Sequence, residues 1–120
     1  FFAAWFGFAT SVLEELRAEA RPDEEPARVQ LWPEHFDISV ELGAESEVRR
    51  ANFGCSAGDD EHPLPYAYVN PWSDVPKNPY WSAEPHFRGA RIGWDAIAAA
   101  VDQREAVLEF FRQGRDLLRG

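Results

Sequence analysis

The longest unbroken polarity pattern in the chain runs from Phe36 to Leu42. Phe36, Ile38, Val40 and Leu42 alternate with Asp37, Ser39 and Glu41, which predicts a strand with one buried face. Gly43-Ala-Glu-Ser46 has turn chemistry, and 47–53 is expected to return as the partner strand. A four-residue loop would set Phe36 opposite Phe53 and Ile38 opposite Ala51, with Asp37 and Arg50 together on the wet face. Shorter strands are expected at 29–32, 65–70 and 87–92. Period-3.6 patterns open and close the chain. Phe2, Trp5, Phe6, Ala9, Val12, Leu13, Leu16 and Ala20 form one helical stripe, and Ala106, Val107, Phe110, Phe111, Gly114, Leu117 and Leu118 another. A short helix is expected at 94–100, and Asp102 with Glu105 has the spacing of a capping box for the last helix. The expectation is an α+β domain spanning 1–120: an antiparallel sheet of about four strands packed against an N-terminal and a C-terminal helix.

Two features qualify that picture. Before Thr10 the first helix is apolar all round, with Phe1, Ala4 and Phe8 off the stripe, and such a helix buries every side. The sequence also lacks methionine. Both lead to the expectation that 1–120 is the C-terminal part of a longer chain. The first helix would then pack on its own N-terminal half or on another copy. Arg21-Pro-Asp-Glu-Glu-Pro26 ends that helix, because proline cannot continue it. Between the last two strands lies a loop rich in proline and aromatic residues (Pro71, Trp72, Pro76, Pro79, Tyr80, Trp81, Pro85), able to be ordered without regular structure.

Charge narrows the partners. Twelve Lys and Arg against 21 Asp and Glu give a net charge of −9, which excludes nucleic acid and anionic membrane surfaces as the main target. One cysteine excludes a disulfide framework, and no apolar run approaches membrane-spanning length. Without a signal-type N-terminus, a cytoplasmic setting is expected.

Candidate chemistry collects where the strand pairing would bring two stretches together. His35 would lie beside Gly54, facing the segment Gly54-Cys-Ser-Ala-Gly-Asp-Asp-Glu-His62. Three readings stand. His35, Asp59 and His62 could ligate a divalent ion that acidifies a water, the core of a metal-assisted hydrolase. Cys55 could be a nucleophile activated by His35. Or Asp, Ser and Gly simply make turns, with His35 as a cap. No cofactor is expected, and a metal only through that His35, Asp59 and His62 set. The aromatic content, with five tryptophans, offers rigid apolar area for a cleft; Trp32, Tyr66, Tyr68 and Trp72 are its candidates beside His35, Ser56 and Asp59.

Leu31-Trp-Pro-Glu-His-Phe-Asp37, Asn52-Phe-Gly-Cys-Ser-Ala-Gly-Asp59 and His62-Pro-Leu-Pro-Tyr-Ala-Tyr-Val-Asn-Pro-Trp72 resemble the C-terminal half of an uncharacterised bacterial protein family from high-GC genomes. The resemblance extends through Phe110-Phe-Arg-Gln-Gly-Arg-Asp-Leu-Leu118. It implies an N-terminal half but no activity, none having been assigned to the family. Cys55 stands where that pattern has alanine, which speaks against a family-wide thiol mechanism, and His86 stands where it has no histidine. The resulting expectation is a non-catalytic domain binding a small molecule or protein through the aromatic and proline-rich loop.

Overall fold

Alternation and helical stripes translate into a five-stranded antiparallel meander with helices at both ends. In the computed structural model, residues 2–82 and 87–120 are described. Phe1 and His86, on which two of the expectations fall, lie outside them. The elements are α1 (Phe2–Ala18), β1 (Gln30–Trp32), β2 (Asp37–Leu42), β3 (Ala51–Ser56), β4 (Tyr66–Pro71), β5 (Ala90–Gly93), α2 (Trp94–Ala99) and α3 (Gln103–Arg119). The strands pair in sequence order.

Period two decides what each face of the sheet carries. Ile38, Val40 and Leu42 on β2, Ala51, Phe53 and Cys55 on β3, and Ala67 and Val69 on β4 all point to one face and are buried. Against that face α1 presents Trp5, Ala9, Val12, Leu13 and Leu16, and α3 presents Val107, Leu108 and Phe111. The Phe53 and Phe111 rings meet edge to face at 6.1 Å. Asp102 caps α3, its carboxylate accepting from the Glu105 amide at 3.0 Å.

The β2–β3 register departs from expectation. Ile38 faces Cys55 and Val40 faces Phe53, so β3 has slid by four residues relative to the four-residue-loop register. Phe36 is therefore not opposite Phe53, nor Ile38 opposite Ala51. The connection is longer, residues 43–50, and contains a 3-10 turn at Glu45–Glu47 and a left-handed Val48 (φ 54°). Because the slip is even, every side chain keeps its face. Arg50, expected in the ladder, instead turns back into that connection, although its ion pair with Glu41 forms at 3.2 Å. Phe36 is not in the strand; it is 57% exposed, at φ 49° in the β1–β2 turn. The last strand also starts later than expected, at Ala90.

On α1, Ala3, Ala4 and Gly7 are exposed, while Phe8 is half-buried and stacks on Trp5 at 5.6 Å. The basic stripe of α3 finds its partners on α1 and the turn after it. Arg112 pairs with Glu15 at 3.1 Å and Glu19 at 2.6 Å, Arg115 with Glu19 at 2.7 Å, and Arg119 with Glu24 at 2.8 Å. Hydrogen bonding from Arg112, only partly opposed by burial, holds Glu19 down at a pKa of about 2, and Arg119 lowers Glu24 in the same way. A carboxyl depressed on folding contributes stability that is present above its unfolded value and lost as pH falls towards its folded one. Urea unfolding of the wild type should therefore weaken between about pH 4.5 and pH 2. Glu19→Gln should flatten that acid limb while lowering stability at neutral pH.

No helix among the described residues is long and apolar enough to cross a membrane.

Candidate functional site

The outer face of the sheet, away from the helices, carries the polar and aromatic residues of opposite parity. Its centre is Gly54 on β3, which faces Ser39 on one side and Tyr68 on the other. The Tyr68 ring lies over Gly54, so close that a Cβ there would overlap the ring's Cζ and Oη. That close approach is what the glycine is needed for. Tyr68 thereby reaches across β3, and its hydroxyl donates to Asp37 Oδ2 on β2. Burial, reinforced by the charge of Asp37, pushes the Tyr68 hydroxyl well above the usual phenol range.

One row along, Ser56, Asp59, His62 and Tyr66 come together. Tyr66 pairs with Ser56 across the β3–β4 ladder, and its hydroxyl donates to Asp59 Oδ2 at 2.7 Å. Asp59 Oδ1 accepts from the Glu61 and His62 amides at 3.0 and 2.7 Å, and the Ser56 hydroxyl accepts from the Gly58 amide at 3.0 Å. The His62 ring stands edge-on to Tyr66 at 5.7 Å. Burial raises Asp59, but the bonds from Tyr66 and the two amides outweigh it and leave the carboxyl below its usual value. Burial and the bond to Asp59 push Tyr66 up to about 12. Both groups are thus fixed in their ordinary states, carboxylate and neutral phenol. The arrangement orders the loop at 57–65.

The other expected residues do not join this cluster. His35 is exposed in the β1–β2 turn, and its imidazole makes no hydrogen bond or ion pair among the described residues. The turn between β1 and β2 is the reason: residues 33–36 leave the sheet, and the Ala57 amide bonds the Phe36 carbonyl at the edge of the paired segment, with His35 beyond it. The proposed triad of His35, Asp59 and His62 is therefore not assembled, and no group of three metal-ligating side chains is found among the described residues. Trp32, on β1, donates through Nε1 to Ser39 Oγ at 3.1 Å. Trp72 sits at the opposite end of the sheet, donating to Asn52 Oδ1 at 2.9 Å beneath the Arg50 guanidinium. Cys55 is fully buried in the core, and burial pushes its thiol far above the usual range, the reverse of an activated nucleophile.

A second candidate was legible only as composition: the irregular segments at 72–82 and 87–89. The Tyr80 ring drops into a notch on α3 made by Gly114, where a Cβ would come within 2.7 Å of the Tyr80 hydroxyl. That hydroxyl donates to the Phe110 carbonyl at 2.6 Å, and the ring packs on Phe110 at 5.3 Å and on Trp81 at 4.9 Å. The Ser82 amide donates to the Gly89 carbonyl at 2.6 Å, tying the loop to its return. Between the two limbs lies an open groove of about 930 Å³ lined by Pro76, Tyr80, Trp81, Phe87 and Arg91 among others. The Arg91 guanidinium stacks on Phe87 at 4.2 Å and on Tyr66 at 5.7 Å, linking the groove to the outer face. Sequence reasoning placed the aromatic residues in this loop but not Gly114 or Arg91. A glycine in the middle of an amphipathic helix, where it costs stability, was the available signal for a notch.

Comparison of the chain with protein-family models, with curated proteins and with solved structures gives no match.

Proposed function

We propose that the chain is a non-catalytic binding domain that takes a small molecule or a protein segment into the groove beside its aromatic and proline-rich loop. The observation that carries this reading is the preformed groove itself. Its volume falls within the range of small-molecule sites, and its walls are held by the Tyr80 anchor and the Ser82–Gly89 bond. Apolar surface from Pro76 and Trp81 and the edge of Phe87, beside Lys77 and Arg91, suits a ligand with an aromatic or aliphatic body and an acidic end. The inert Cys55 and the fully engaged Asp59 support a role without catalysis. The same reading gives α1, with Ala3, Ala4 and Gly7 exposed, a partner in its own N-terminal half or another copy, in a cytoplasmic bacterial protein.

A set of aromatic carboxylic acids titrated into isotope-labelled protein tests the groove. Shifts confined to the amides around Tyr80, Trp81, Phe87 and Arg91 are expected. Shifts scattered over the surface, or none at millimolar acid, would contradict the reading.

A further inference from the structure

The far end of the sheet, where β1 turns into β2, has a composition that the groove does not explain. Trp32 and Phe36 are 41% and 57% exposed within five consecutive residues. Leu64, 53% exposed, lies at the same end, two residues before Tyr66, which pairs with Ser56. Phe36 is joined to this end through its carbonyl, which accepts from Ala57. A patch of large apolar side chains with a polar rim marks an interaction surface. Here the rim has one sign. Residues 31–37 and 56–66 contain Glu34, Asp37, Asp59, Asp60 and Glu61, and no Lys or Arg. One cation, Arg91, reaches this end by stacking on Tyr66.

We propose that this end of the sheet docks a cationic amphipathic segment of a different protein, whose apolar side chains cover Trp32 and Phe36 while its Lys and Arg residues meet the acidic rim. Charge complementarity selects that occupant. A second copy of this chain would bring the same acidic rim against itself, and an anionic membrane surface would be repelled. The surface lies at the opposite end of the strands from Trp72, where the groove loop begins, and meets the lining of the proposed groove at Arg91.

The probe is a synthetic amphipathic helix of leucine and lysine, its binding followed by calorimetry and its salt dependence measured at about 50 mM and about 300 mM NaCl, where screening differs strongly. The wild type should bind about tenfold more tightly at the lower salt. Trp32→Ser combined with Phe36→Asn should weaken binding by about tenfold or more at the lower salt. Glu34→Gln, Asp60→Asn and Glu61→Gln together alter exposed side chains only; they should weaken it similarly and flatten the salt dependence. Val48→Asn with Leu117→Ser removes exposed apolar groups elsewhere and should change the affinity less than about twofold. No binding at low salt overturns the proposal, and so does equal weakening by the Val48 and Leu117 variant, which would show non-specific adsorption to exposed apolar side chains. Dimers in sedimentation that disappear with the Trp32 and Phe36 substitutions would make a second copy the occupant and overturn it as well.

Discussion

Arg50→Met lowers the unfolding free energy by about 3–5 kcal/mol, the largest loss expected from any single polar side chain here. Arg50 is 7% exposed and acts as a fork. Its Nη1 donates to the carbonyls of Glu24 at 3.0 Å and Gly43 at 3.1 Å, and its Nη2 to the Glu25 carbonyl at 2.9 Å and Glu41 Oε1 at 3.2 Å. Removing it takes the side-chain donor from the Gly43 and Glu25 carbonyls, each at a cost of about 1–3 kcal/mol. The Glu24 carbonyl retains the Gly43 amide as a donor at 2.8 Å, which is why the sum is not larger. Arg50→Lys should recover less than half of the loss, because an ammonium cannot span the two-pronged acceptor set. Urea unfolding of the three proteins gives the comparison. A loss below about 1 kcal/mol for the methionine variant would show that the connection at 43–50 is held by something else.

Gly54→Ala should cost about 2–3 kcal/mol, the balance of two opposed terms. A methyl at residue 54 favours the strand by about 0.5–1 kcal/mol, since glycine is the entropically costly residue there. Against that, it lifts the Tyr68 ring and breaks a hydrogen bond to the Asp37 carboxylate, a class worth about 1.5–3 kcal/mol, with the ring's packing lost besides. The test is a double-mutant cycle with Tyr68→Ala. Once the ring is gone, the alanine at 54 should turn neutral or stabilising. Equal losses in both backgrounds would mean that the glycine serves something other than the ring.

Both residues show where the sequence was legible and where it was not. Alternation specifies parity, and parity placed Ile38, Val40, Phe53 and Asp37 on their correct faces. It does not specify loop length, so the partners were misassigned by an even number of positions. The signal against a strand beginning at residue 47 was present. Glu47 and Arg49 share parity with Ala51 and Phe53, so an early start would aim two charges into the core. His35 is no site residue because residues 33–36 turn out of the sheet between β1 and β2, which alternation alone does not show. Asp59, Ser56, Tyr66 and His62 did meet, because the short 57–65 connection forces their approach whatever β2 does. Tyr80 and Gly114 are 34 residues apart in sequence with no shared pattern, and only the folded chain shows one as the seat of the other.

The central claim, that a groove fixed by Tyr80 in the Gly114 notch is where this domain binds, is tested most directly by repeating the aromatic-acid titration on Gly114→Ala. Alanine improves the intrinsic helix propensity of α3 by about 1 kcal/mol but fills the notch, so the melting temperature should stay near the wild-type value while the loop is released. The account predicts a retained amide spectrum for the sheet and helices, increased hydrogen exchange confined to 74–82, and at least a tenfold loss of affinity at the groove, about 1.4 kcal/mol. Undiminished binding in a variant whose loop has demonstrably come free would contradict it.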